Sequence, residues 1–471
     1  MNLLTLLLLL TVSCNTKTTQ KQLKNGVWES LGSGWILEIN ESKNYAFYDI
    51  TSISCLPQQK GKLDELNKFI SVNNDTLLLQ KGVITYQFKR IQKLPLLCKT
   101  KLSEKQSKNP LFNFEVFAET VKEHYAFFKL NAIDWEQLYT QQKNKLIKNS
   151  NETTLYKIIE ETLEKLNDNH AYLEADDAFY KKLEETELEE ELSIQDTLPE
   201  YGDFQIADMV AKHHLQENLT RDSWLIQWGK LTDSIGFIQV KAMWLYADLT
   251  IPESLIAEKG YVDAYAETFY KMYEGDYIEK EVYGVAKTMN RVMNDLASMK
   301  AMVIDIRFNG GGQDAVSFEI LSRFIPQKTQ VATQKLRYGS KFTSTLPLFI
   351  NGTENAYVKP VYVLTSAQTG SAAEAFSIAT LPLKNIKRIG TQTAGAMSTA
   401  LEKTLPNGWS FSISNEIYMD NKGKNYENKG IPVNYHLNYS KNRQTFFRNI
   451  ANDLEKDKQQ ILDAIISLEE K

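Results

Sequence analysis

The sequence predicts an α/β protein: a layered core of strands and helices, a helical region before it, and a small N-terminal β domain. Three patterns carry the prediction. From Ser234 onwards strands alternate with helices, starting with the apolar run Ile235–Val240. Residues 111–170 repeat apolar side chains at helical spacing, and residues 26–92 repeat them at every second position. Strand–helix alternation implies mostly parallel pairing under covering helices, whereas period-2 runs between turn residues imply antiparallel strands.

In chain order, Leu3 to Leu10 is almost all leucine and is followed by Thr11-Val12-Ser13-Cys14. The run is too short to span a bilayer, which needs about 20 residues, and fits the apolar part of a signal peptide. A small residue directly before a cysteine fits the site of bacterial lipoprotein signal peptidase, so residues 1–14 are expected to be a lipoprotein signal. Lipid is then expected on Cys14, anchoring the chain at the periplasmic face of the inner membrane or on the outer membrane. The segment departs from the pattern in having no Lys or Arg after Met1. Residues 15–25 are polar and read as a tether.

Residues 26–100 form the expected β domain, with strands around Trp28, Ile36 to Ile39, Tyr45 to Tyr48, Leu77 to Leu79 and Ile84 to Phe88. Cys55 and Cys98 flank this segment. In an oxidising compartment they either form a disulfide or stay as two buried thiols. Residues 108–195 form the helical domain. Asn151 with Glu152 starts one helix, and Asn167-Asp168-Asn169-His170 ends it, since these side chains favour turns. The glutamates at 184–185 and 189–191 suit a solvated helix face. The core spans 225–445, with helices expected at 282–299, 315–324 and 372–379 and strands at 301–306, 361–364 and 386–389. A last helix is expected within 446–471.

Composition narrows the function. The 471 residues are 42% hydrophobic and 24% charged, with Lys+Arg 54 against Asp+Glu 59. A net charge of −5 argues against a nucleic-acid partner, which calls for a basic face. Mean hydropathy of −0.38 excludes a polytopic membrane protein.

Two loops follow buried strands and open helices, where α/β sheets place their ligands. The first is Asp305-Ile306-Arg307-Phe308-Asn309-Gly310-Gly311-Gly312. Its glycines allow close backbone approach, and their N–H groups at a helix start can face an anion. Gly310, Gly312 and Ala315 match a dinucleotide fingerprint, but residues 330–337 hold no acidic residue for a ribose. The same N–H groups also suit an oxyanion hole. The second loop is Thr369-Gly370-Ser371-Ala372-Ala373-Glu374. Ser371 and Glu374 match a helix capping box. The neighbouring glycine loop favours a nucleophile instead, because acyl transfer needs a hydroxyl beside N–H donors.

These runs, followed by R-I-G-T-Q-T-A-G, L-P-N-G-W and E-N-K-G-I-P-V, resemble the tail-specific (C-terminal-processing) serine peptidases over residues 225–440. The resemblance implies a crotonase/ClpP-like spiral core. One branch of that family uses a serine–lysine dyad with lysine directly after the G-x-x-T-x-G run; Ala396 stands there. The tricorn-like branch uses serine, histidine and glutamate. It implies His170, in its Asp-Asn-His turn, as base and Glu427 as the orienting residue.

The resemblance therefore implies a serine endopeptidase acting on proteins or peptides. Ser371 is the nucleophile, the N–H groups of Gly311 and Ala372 are the oxyanion hole, and Glu427 acts on His170 directly or through a polar side chain. Asp305 and Arg307 are expected to brace the glycine loop. No metal and no cofactor are expected. Residues 171–234 lack a Gly-Leu-Gly-Phe-like carboxylate loop, so a PDZ module is not expected. The helical aromatics Tyr261 to Tyr277 either pack on the core or line a substrate groove. Two other classes stay open: a hydrophobic-ligand carrier or scaffold on the same fold, and a nucleotide-dependent oxidoreductase.

Overall fold

The computed structural model describes residues 25–41, 43–187, 198–271 and 277–470. The expected signal peptide, Cys14, nearly all of the tether, the glutamates at 189–191 and Tyr273 lie outside them.

Seven antiparallel strands make the N-terminal sheet: Gly26–Ser30, Trp35–Asn40, Asn44–Ile50, Cys55–Lys62, Ile70–Asn73, Thr76–Lys81 and Ile84–Ile91. Alternate residues such as Leu37, Ile39, Leu77 and Leu79 bury one face around Trp28 and Phe88. Cys55 is disulfide-bonded to Cys98. The domain is fastened to the rest by buried polar contacts. Lys403 pairs with Asp49, Asn415 Nδ2 donates to the Gly32 carbonyl at 2.9 Å, and Tyr86 Oη donates to Glu416 at 3.0 Å.

Helices Pro110–His124, Trp135–Lys148 and Glu152–Leu166 follow. Asn109, Asp134 and Asn151 each cap a helix through a side-chain oxygen. Asn167 ends the third helix at φ 50°, a left-handed position that asparagine tolerates. Their cores pack against Phe411 and Ile413 of a small sheet formed by Ala400–Thr404, Ser410–Ser414 and Tyr172–Glu174.

The core sheet runs Tyr435–His436, Ile386–Gly390, Val361–Thr365, Ala301–Asp305, Ile235–Val240, Ile226–Lys230, Glu217–Asn218. Its first five strands are parallel. Alternation within the strands divides the core. Met302, Ile304 and Val363 meet helices Tyr277–Leu296, Asp314–Ser322 and Ala372–Ala379. Val303, Tyr362 and Leu364 meet Asp203–His214, Arg443–Asn452 and Leu454–Glu469 on the other face. Helices on both faces explain why these strands are apolar throughout.

Three expectations need revision. The helix expected at 282–299 begins at Tyr277 and ends at Leu296. The single C-terminal helix is two, broken at Asp453 (φ −150°, ψ 73°), whose side chain caps the second through Lys456 N. Two strands of the N-terminal sheet, Cys55–Lys62 and Ile70–Asn73, are additional to those read from alternation.

Candidate active site

The glycine loop and the Ser371 turn leave the ends of adjacent parallel strands, Ala301–Asp305 and Val361–Thr365. Asn309 couples them. Its Nδ2 donates to the Val240 carbonyl at 3.0 Å, its Oδ1 accepts from Gly311 N at 2.9 Å, and its carbonyl accepts from Gly370 N at 3.2 Å. A Cβ on Gly311 would lie 2.6 Å from the Ser371 Cβ, so only glycine allows this approach.

Ser371 is the N-cap of helix Ala372–Ala379, at φ 51° and ψ −123°. A side chain held in such a region costs about 1–3 kcal/mol and needs support from its surroundings. The Ser371 N–H donates to the Ala396 carbonyl at 3.0 Å, and the Ser371 carbonyl accepts from Glu374 N at 2.7 Å. The alternative capping-box role is not realised: the Ser371 hydroxyl makes no capping bond. Glu374, fully buried, accepts from Thr393 Oγ1 at 2.5 Å, Gly395 N at 2.8 Å and Ala396 N at 2.6 Å. Glu374 therefore shapes the loop where the lysine branch carries its base, and the serine hydroxyl is left available.

That hydroxyl lies 3.3 Å from His170 Nε2. The imidazole arrives on a turn built by Asp168. Asp168 Oδ1 accepts from His170 N at 2.9 Å and from Ser414 Oγ at 2.7 Å, and its Oδ2 accepts from Ser414 N at 2.7 Å. Ser412 Oγ also donates to the His170 carbonyl. The turn is thus pinned to strand Ser410–Ser414. Burial lowers the His170 pKa, and the negative charge of Asp168 opposes that effect. The ring is therefore neutral, and a base, at neutral pH.

Glu427 is buried, and its hydrogen-bond partners do not include His170. Its Oε2 accepts from Met397 N at 3.1 Å and Ser398 N at 3.2 Å. Among the described residues no hydrogen bond joins it to the imidazole, directly or through a side chain, and His170 Nδ1 is buried without a partner. This corrects the expected orienting contact. Burial, with repulsion from Glu374 and Asp168, pushes Glu427 up to about 8 despite the two N–H donors. Burial pushes Glu374 up to about 7.

The two expected oxyanion donors also differ. Ala372 N, at the helix start, makes no hydrogen bond among the described residues, whereas Gly311 N is committed to Asn309 Oδ1. The glycine loop is braced from below. Arg307, fully buried, donates through Nε and Nη2 to Asp305 at 3.0 and 2.8 Å and through Nη1 to Asp457 at 2.8 Å. Burial alone would raise Asp457, but Arg307 and His214 hold it well below the usual carboxylate range. Sequence reasoning missed Asn309, Asp457 and the loop-shaping role of Glu374. Only the turn-forming Asp168 left a local signal.

Residues 267–437 match the model of peptidase family S41. The fold resembles a candidate peptidase from Parabacteroides merdae at 18% identity and a TM-score of 0.50, covering 74% of this chain and 97% of that one. It also resembles mature CPAF, solved in complex with lactacystin, at 12% identity and a TM-score of 0.53, covering 77% of this chain and 99% of that one.

Proposed function

We propose that this chain is a serine endopeptidase of family S41, whose model its residues 267–437 match, working through Ser371 and His170 by an acyl-enzyme. The observation that carries this reading is the 3.3 Å approach of Ser371 Oγ to His170 Nε2. His170 Nε2 takes the Ser371 proton as Oγ bonds to the peptide carbonyl carbon. Ala372 N faces the developing oxyanion, and a second donor comes from the glycine loop once Gly311 N leaves Asn309. The C–N bond breaks, and the amine departs with the proton held on His170. Water then attacks the ester and gives its proton to His170. The acid product leaves, and the proton returns to Ser371.

Glu427 keeps the third role through its place in the late motif, and it can act on the imidazolium through space only once it gives up the proton that burial holds up to about 8. Asp168 adds the nearer negative charge. A fluorophosphonate probe tests the reading: wild type should label, and Ser371→Ala should not. An unlabelled wild type would favour a ligand carrier.

We also propose that the chain is lipid-anchored through Cys14 in the bacterial cell envelope, on the strength of the Leu3–Leu10 run and Ser13-Cys14. No helix among the described residues is long and apolar enough to cross a membrane. Cys14→Ser should move the protein from the membrane fraction to the soluble periplasmic fraction. Unchanged retention would count against the anchor.

A further inference from the structure

A cavity of about 470 Å³ opens beside the glycine loop. We propose that it is a specificity pocket for a large apolar or aromatic side chain next to the scissile bond, an inference that rests on the peptidase reading. Its location comes first. Gly310, Gly311 and Gly312 form one wall, and Gly311 packs directly on Ser371. The shared Gly311 puts the cavity next to the residue a peptide would acylate.

The lining gives the chemistry. Phe204, Trp244, Phe269 and Phe308 line it with Ala242 and Lys241, and Gln205 and Gln313 add two uncharged polar side chains. The lysine does not supply a free cation, because its ammonium pairs with Asp208. Asp203, at the edge, pairs with Arg443 at 2.6 Å. With both charges matched inside the protein, the cavity favours an uncharged occupant. Its volume falls in the range of about 300–1,000 Å³ typical of ligand pockets and exceeds what an alanine or serine side chain fills.

The pocket is also built in advance. Met243 N donates to the Gly311 carbonyl and Gln313 N to the Met243 carbonyl, both at 2.8 Å, which joins the Trp244 segment to the glycine loop. Beyond Trp244 the chain turns at Leu245, with φ 76°. Buried Glu281 holds that turn, accepting from Leu245 N at 3.2 Å, Tyr246 N at 2.7 Å and Tyr265 Oη at 2.6 Å. Trp244 is thus fixed on both sides while its ring remains half-buried at the cavity. Holding an indole this way has a reason if it waits for a partner, since pre-organisation lowers the ordering cost of binding.

The test uses the full chain on a peptide library, with fluorophosphonate labelling and thermal melts alongside. Wild type should label and should favour Phe, Tyr, Trp, Leu or Met over Ala at one position flanking the cut by about tenfold or more in kcat/KM. Trp244→Ala should reduce that ratio at least about threefold, and Ala242→Leu, which fills the cavity, should shift the preference towards small residues. A labelled wild type that cleaves without such a preference overturns the pocket and leaves the peptidase reading standing. So does a folded Trp244→Ala that keeps the full ratio. A wild type that neither labels nor cleaves removes the peptidase reading itself.

Discussion

At the scale of single residues, the roles proposed for His170, Glu427 and Asp168 can be separated by experiment. His170 is held neutral by burial against the pull of Asp168. His170→Ala should lower kcat/KM by several orders of magnitude, as loss of a triad member does. The wild-type pH–rate profile should have its acid limb below the ordinary histidine value of 6.5; a limb above 7 would contradict the burial argument. Glu427 makes no hydrogen bond to the imidazole and holds its proton up to about 8, so Glu427→Gln should lower kcat at pH 7 by about tenfold at most, the weak end of what neutralising a triad carboxylate causes. Asp168→Asn removes the nearer charge and weakens the turn that aims the ring. Its kcat should fall further than that of Glu427→Gln. Steady-state kinetics on one flexible peptide decide the order, and the reverse ranking would return the main role to Glu427.

At the scale of elements, the C-terminal helix Leu454–Glu469 clasps the glycine loop through Asp457 and Arg307. Removing one member of a buried pair costs about 3–5 kcal/mol, because the other charge is left uncompensated. Asp457→Asn should therefore lower the melting temperature sharply and slow Ser371 labelling, although it lies in a helix remote in sequence. A melt unchanged within error would mean that Arg307 is held by Asp305 alone. This clasp shows where the sequence stops being legible. The parallel strands and helix Ala372–Ala379 were readable because apolar runs and their punctuation are local signals. Motif order points to Ser371 and His170, and the fold brings the two within 3.3 Å. The pairing of Arg307 with Asp457 spans 150 positions and leaves no periodic trace. The break at Asp453 was missed because the apolar spacing continues across it, and only the capping side chain marks the stop. Gly311 was expected to offer its N–H, and no local signal indicated that Asn309 accepts it.

At the scale of the whole molecule, buried ionisable groups set how stability follows pH. Burial raises several carboxylates, Asp314 to about 6, Glu374 and Glu416 to about 7 and Glu427 to about 8 among them. In the unfolded chain they titrate near 3.8 and 4.5. Between those values the folded protein binds more protons than the unfolded one, so stability falls as pH rises. Their contribution is complete below about pH 4 and is lost as pH passes through 6 to 8. The histidines act oppositely. Burial lowers His170 and His214, and lowers His124 to about 3. There the unfolded chain binds more protons, so stability is complete above 6.5 and falls as pH drops through the lowered values. Above pH 6.5 the histidine contribution is complete while these carboxylates are still losing their protons, so the melting temperature should decline from about pH 6.5 to 8. Calorimetry from pH 5 to 9 at constant ionic strength measures this. Glu427→Gln provides the internal control, because a neutral side chain there has no proton to lose. Its melting temperature should drop less than that of wild type between pH 7 and 9. A wild-type curve that stays level or rises over that interval would show that these carboxylates are already ionised in the folded protein, and Glu427 would then carry its charge beside His170 throughout the working range.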